Sequence, residues 1–150
     1  MTARQATVDD ASELIRLRTV MLGVDRDDSW CLPAQKVLAQ RLAEAAPTMA
    51  AFVIDRPGGG LAACATGTVE ARLGAPGDPS GLVGYVFNVA TDPDQRRRGH
   101  SRACLTALLD WFRGHDIRKV DLRASAMAEP LYRSLGFERT ADPAMRLKNL

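Results

Sequence analysis

The residues most able to do chemistry lie in one stretch. An apolar, strand-like run, Val86-Phe87-Asn88-Val89-Ala90-Thr91, ends at Asp92-Pro93 and is followed by Arg96-Arg97-Arg98-Gly99-His100-Ser101-Arg102. Proline stops further ladder pairing at that point. The next residues carry a helical apolar pattern, so Gly99 stands where a helix begins. A helix N-terminus offers unpaired N–H groups and a partial positive charge, which suit a phosphate. Gly99 lets a backbone approach such a group closely, and Ser101 is small enough to do the same. Three arginines beside a glycine at a helix start point to phosphate binding more strongly than to a solvated loop or a nucleic-acid patch.

The elements that must hold this stretch can be read from periodicity. Asp10 and Glu13 have the spacing of a capping box, with Ala11, Leu14, Ile15, Met21 and Leu22 following at helical intervals. A second helix is predicted to start near Pro33, with Val37, Leu38, Arg41, Leu42 and Ala45 on one face. Residues 49–55 and 61–73 read as strands joined by the turn Arg56-Pro57-Gly58-Gly59-Gly60, and residues 82–90 as a third strand. A Gly/Pro-rich stretch over residues 74–81 reads as an exposed loop. Ser101, Cys104, Leu105, Leu108, Leu109 and Phe112 line one face of a helix that ends at Gly114. Residues 119–124 alternate as a strand, residues 130–135 form a short helix, and Phe137 and residues 145–147 suggest final strands. This order predicts one three-layer α/β (α+β) domain spanning residues 1–150 around a central sheet.

Composition narrows the function classes. The 150 residues are 46% hydrophobic and 25% charged, enough for one core and ordinary in charge. The net charge of +2 is too small to signal a nucleic-acid or membrane partner, and 5% aromatic content argues against a base-stacking surface. The amino-terminal residues lack the apolar core of a signal peptide, and no apolar run approaches a membrane span. Cys31, Cys64 and Cys104 cannot all pair within the chain and have no zinc-like spacing, so we expect no metal and a reducing, cytoplasmic setting.

Two blocks carry a family resemblance. Arg96-Arg97-Arg98-Gly99-His100-Ser101 resembles the diphosphate loop of the GNAT superfamily of acetyl-CoA-dependent N-acetyltransferases. Ala128-Glu129-Pro130-Leu131-Tyr132-Arg133-Ser134-Leu135-Gly136-Phe137 is similar to a second block of that family, in the right order and at the right separation. The opening Arg4-Gln5-Ala6-Thr7-Val8-Asp9-Asp10 resembles its first strand and helix. The resemblance implies a mixed, mostly antiparallel twisted sheet flanked by about four helices. Ser101 stands where the family usually has Gly or Ala, and His100 where an aliphatic residue is common, so His100 faces solvent or the cofactor. Arg123-Ala124-Ser125-Ala126 lacks the Asn that the family often carries before its last helix.

The resemblance also implies a reaction. A neutral primary amine of a small molecule or peptide attacks the thioester of acetyl-CoA in a ternary complex. Val89, Ala90 and Thr91 line the pantetheine arm and supply backbone N–H groups to the developing oxyanion. Residues 96–102 bind the diphosphate. Tyr132 protonates the departing thiolate, which a phenol of pKa about 10 does only when well positioned. The acceptor amine must lose a proton. Alternation puts Asp121 on the polar face of its strand, where it resembles a family carboxylate and is the first candidate base; Glu70 is the second. Gly23-Val24-Asp25-Arg26-Asp27-Asp28-Ser29-Trp30 reads as the connection between the first two helices, which in this fold borders the acceptor cleft. Asp25, Asp27, Asp28 and Trp30 would favour a cationic acceptor there, although acidic turns are often merely solvated. A catalytically silent acyl-CoA-binding module of the same fold is the alternative reading. We expect a monomer or homodimer.

Overall fold

The computed structural model describes residues 2–150. Five strands form one sheet in the order β1 (Arg4–Gln5), β2 (Met49–Asp55), β3 (Leu61–Ala71), β4 (Leu82–Thr91), β5 (Val120–Leu122). The first four are mutually antiparallel neighbours, and β5 joins β4 in parallel. Helices α1 (Ala11–Leu22) and α2 (Asp28–Leu42) are followed by the strand hairpin β2–β3. Helices α3 (His100–Gly114) and α4 (Glu129–Ser134) flank β5 in sequence. The expected mixed sheet with four helices is what forms.

The core lies in two layers, one on each face of the sheet. Leu14, Ile15 and Leu17 of α1 and Cys31 and Leu38 of α2 pack with Ala51, Val53, Cys64 and Ala90. On the other side, Cys104, Leu105, Leu108 and Phe112 of α3 pack with Ile54, Ala63, Ala65 and Val86. These α3 residues recur at intervals of three or four, so one stripe of the helix is buried. Each large aliphatic or aromatic side chain so buried contributes about 1.5–3 kcal/mol. Phe112 sits in a socket made by two glycines. A Cβ on Gly67 would stand 2.6 Å from its ring, and one on Gly84 would stand 2.7 Å away. Only glycine lets α3 lie this close to β3 and β4.

Three expectations are corrected. Helix α2 starts at Asp28 rather than near Pro33, because Asp27 caps it: its carboxylate accepts from Ser29 N–H at 2.9 Å, and its carbonyl accepts from Cys31 N–H at 2.9 Å. Pro33 lies inside the helix, which ends at Leu42, short of Ala45. The Asp10/Glu13 capping box does not form. Asp10 instead accepts the N–H of Thr7 at 2.8 Å and is gripped by Arg4, while Glu13 accepts Leu61 N–H at 2.8 Å and binds Arg16. No strand follows α4 among the described residues. Met145 (86% exposed) and Leu147 (79%) alternate as a strand would, but no neighbouring strand takes up their backbone groups, and β5 remains a sheet edge.

Candidate active site

β4 carries the local distortion that builds the site. Thr66 pairs with Phe87 but Cys64 pairs with Ala90, so β4 advances three residues while β3 advances two. That is a bulge, and its residue Asn88 has φ of +50°. Asparagine tolerates this left-handed conformation better than most residues. Asn88 is buried; its carbonyl accepts from Cys64 Sγ at 3.2 Å, and its side chain reaches Leu14 O and Arg18 at 3.4 Å. The extra residue flips the alternation. Phe87 packs with the α1 layer, Val89 with the α3 layer, and Ala90 again with the α1 layer.

Beside the bulge the sheet splits. β5 pairs with β4 only at Gly84, Tyr85 and Val86, so from Phe87 to Thr91 the outer edge of β4 has no strand beside it. The exit of β4 is clamped by Asp92, which accepts from Arg16 at 2.9 Å and from Arg56 at 2.7 Å. The hydrogen bonds from Arg16, and then from Arg56, hold its carboxyl below the usual carboxylate range, against the opposing effect of burial. Arg56 also grips Asp94, whose pKa falls to about 2.

The basic loop then leads into α3. Arg97 has φ of +64°, and Gly99 has φ of +77°. Gly99 is the N-cap of α3 and has no side chain to cap it, and nothing lies within 4 Å of where a Cβ would stand. No side chain therefore caps the first N–H groups of α3. Among the described residues, Arg96, Arg97 and Arg98 are exposed and none pairs with a carboxylate, unlike Arg16 and Arg56.

A groove of about 570 Å³ gathers these features. It is lined by Val89, Ala90, Thr91, Arg96, Arg97, Gly99, His100, Ser101, Arg102 and Tyr132, so of the expected cofactor residues only Arg98 does not line it. A donor-rich helix start, an unpaired strand edge and unpaired arginines suit a long ligand with an anionic middle. Sequence reasoning missed Val20 and Met21 of α1, Gln95 before the loop, and Met127 and Leu131 around α4, which also line it. Their apolar or neutral types gave no chemical signal.

Tyr132 is 7% exposed, and burial raises its pKa, so it carries its proton at neutral pH. It also lines a second cavity of about 430 Å³ with Tyr85, Asp121, Arg123 and Phe137. Asp121 shares the lining of this cavity with Tyr132 but does not line the groove at the start of α3. Glu70 is exposed, pairs with Arg72 at 3.0 Å and lines neither cavity. Nor do Asp25, Asp27, Asp28 and Trp30 line either cavity. Asp27 caps α2, Asp28 pairs with Arg26 at 2.8 Å, and Trp30 packs against the α1 layer. His100 is buried beneath the first turn of α3 rather than facing solvent. Among the described residues, no group of three or more His, Cys, Asp or Glu could hold a metal ion, and no helix is long and apolar enough to cross a membrane.

The fold is thus a mixed sheet that splays beside a bulge, with an uncapped helix start at the split. The same architecture covers nearly the whole of several solved structures. A predicted acetyltransferase from Clostridium acetobutylicum, crystallised with acetyl-CoA, aligns with a TM-score of 0.84 at 21% identity, over 97% of this chain and 95% of its own. A GCN5-related N-acetyltransferase from Ralstonia eutropha aligns with a TM-score of 0.79 at 25% identity, over 97% of each chain. Glucosamine-6-phosphate N-acetyltransferase from Arabidopsis thaliana aligns with a TM-score of 0.79 at 15% identity, over 99% and 98%. No curated protein matches the sequence. Residues 16–137 match the acetyltransferase (GNAT) family, and the chain belongs to that family.

Proposed function

We propose that this protein transfers an acetyl group from acetyl-CoA to a primary amine of a small molecule or peptide, by direct attack within a ternary complex. One observation carries the reading: the uncapped start of α3, the unpaired edge of β4 and Tyr132 all open onto one groove. Residues 96–102 hold the diphosphate, with N–H groups of the first turn of α3 as principal donors. Val89, Ala90 and Thr91 run along the pantetheine arm, and a backbone N–H at the bulge stabilises the oxyanion. The amine nitrogen forms its bond to the carbonyl carbon, the C–S bond breaks, and Tyr132 gives its proton to the thiolate.

Asp121 is the preferred acceptor of the amine proton, because it shares a cavity with Tyr132. Glu70 is the second choice, reached only through water. The loop carrying Asp25, Asp27, Asp28 and Trp30 attracts a cationic acceptor through its field rather than by direct contact. The chain acts as one cytoplasmic domain, monomeric or homodimeric, with no metal. Structural relatives that acetylate amines support this choice of acceptor class.

The test is release of free thiol from acetyl-CoA in the presence of amino acids, polyamines, aminoglycosides and N-terminal peptides. Amine-dependent release supports the reading. Binding of acetyl-CoA without release to any amine favours a silent acyl-CoA-binding module, and absence of binding overturns both.

A further inference from the structure

His100 is the first residue of α3, is 6% exposed and lines the groove. Its Nδ1 is buried and has no hydrogen-bond partner. An orphaned buried nitrogen is uncommon and carries a free-energy penalty unless a ligand or water meets it. The other histidine offers a contrast: His115 is exposed, and its Nδ1 meets Trp111 O at 2.9 Å.

The surroundings of His100 disfavour its cation. Burial lowers its pKa, and the charge of Arg98 lowers it further. Arg96 and Arg97 from the loop and Arg102 from α3 add positive charge to the same groove. The preceding carboxylates do not offset this, because Asp92 is held by Arg16 and Arg56, and Asp94 by Arg56. The strands packed against α3 present Ile54, Ala63 and Ala65, which carry no charge, and Cys104, one turn along, is a neutral thiol with its pKa pushed up to about 12.

We propose that His100 is the proton-binding residue of the cofactor site: neutral in the free protein, it takes up a proton from solvent as a diphosphate docks at the start of α3. The inference rests on the reading of the groove given above. An anion arriving on the same helical turn reverses the local field and stabilises the imidazolium. Linkage then requires affinity to rise as pH falls, since the bound form holds the extra proton. A rise of half a unit to one unit in the His100 pKa makes binding about threefold to tenfold tighter on the acid side.

The probe is 3′-dephospho-CoA, which lacks the phosphomonoester that would itself titrate near neutrality. Calorimetry near pH 6.5 in two buffers of different ionisation enthalpy should show net proton uptake. Affinity should rise as pH falls below about 7, reaching the full threefold to tenfold only where pH drops below the pKa of the free protein. In His100→Leu and His100→Gln, uptake should vanish and affinity should become independent of pH. NMR titration of the wild-type imidazoles should show the His100 pKa rising on binding while that of His115 stays put, a readout that needs no variant to fold. Binding without uptake, or uptake undiminished in both variants, overturns the role of His100 alone. Failure of the folded wild-type protein to bind overturns the groove assignment and this inference together.

Discussion

The hydroxyl oxygens of Thr91 and Ser101 lie 2.7 Å apart, tying the last residue of β4 to the second residue of α3. The bond closes the base of the basic loop, so its two ends cannot drift apart before a ligand arrives. A partly buried hydroxyl pair of this kind contributes about 1 kcal/mol. Thr91→Val and Ser101→Ala should each raise the Kd for acetyl-CoA, and the double variant should lose less than the sum. A double-mutant cycle by calorimetry checks this, and strict additivity would show that the two hydroxyls act independently.

Gly99 occupies a left-handed conformation with open space where a side chain would stand. Gly99→Ala should lower stability by about 1 kcal/mol through backbone strain alone. Gly99→Glu should remain folded, since there is room, yet abolish acetyl-CoA binding by filling the anion site with like charge. Circular dichroism and calorimetry separate the two effects.

Tyr132 meets both cavities and retains its proton at neutral pH. Tyr132→Phe keeps the ring and removes the donor. Turnover should fall about tenfold to a thousandfold with acetyl-CoA affinity unchanged. Unaltered single-turnover rates would leave Tyr132 a packing residue.

Asp92 ties α1, the β2–β3 turn and the exit of β4 into one ion-paired knot. Asp92→Asn should lower stability at pH 7 by about 1–3 kcal/mol, the scale of a charged hydrogen bond. The folded pKa of Asp92 lies below its unfolded value of about 3.9, so this contribution is full above that value. It disappears as pH falls through the folded pKa. Thermal melts should therefore show a gap between wild type and variant that narrows below about pH 4.

The acidic turn before α2 tests the acceptor. Asn still caps a helix, so Asp27→Asn with Asp28→Asn removes two negative charges without removing the cap. For a cationic acceptor, KM should rise and lose salt dependence while acetyl-CoA affinity holds. Identical kinetics in wild type and variant would reduce the turn to a helix start.

The basic loop and α3 were legible because charge, glycine and a clean helical stripe occur together over a few residues. The bulge was not: Phe87-Asn88-Val89 reads as ordinary alternation, and only pairing with β3 shows that one residue is surplus. Pro33 misled because proline favours a helix's first turn, while Asp27 made the cap six residues upstream of that expected start by using its own side chain. The alternation around Met145 and Leu147 is a local pattern, and a strand exists only where a neighbour accepts its backbone groups. Asp121 was read on the polar face of its strand, but the cavity it lines with Tyr132 depends on where α4 packs, which no sequence spacing encodes.

The socket around Phe112 has a consequence for how this sequence can drift. Gly67, Gly84 and Phe112 form a lock whose parts cannot be exchanged in any order. A methyl group at either glycine first meets the ring and lifts α3, and with α3 the helix start that faces the groove. If Phe112 first shrinks to leucine, the ring no longer bars alanine at either glycine, although at Gly67 the Leu108 Cδ1, 3.0 Å from a Cβ there, must also give way. Among descendants of this chain, small residues at 67 and 84 should therefore co-vary with the size of residue 112. Lineages that keep the phenylalanine should keep both glycines, however far their remaining surfaces diverge.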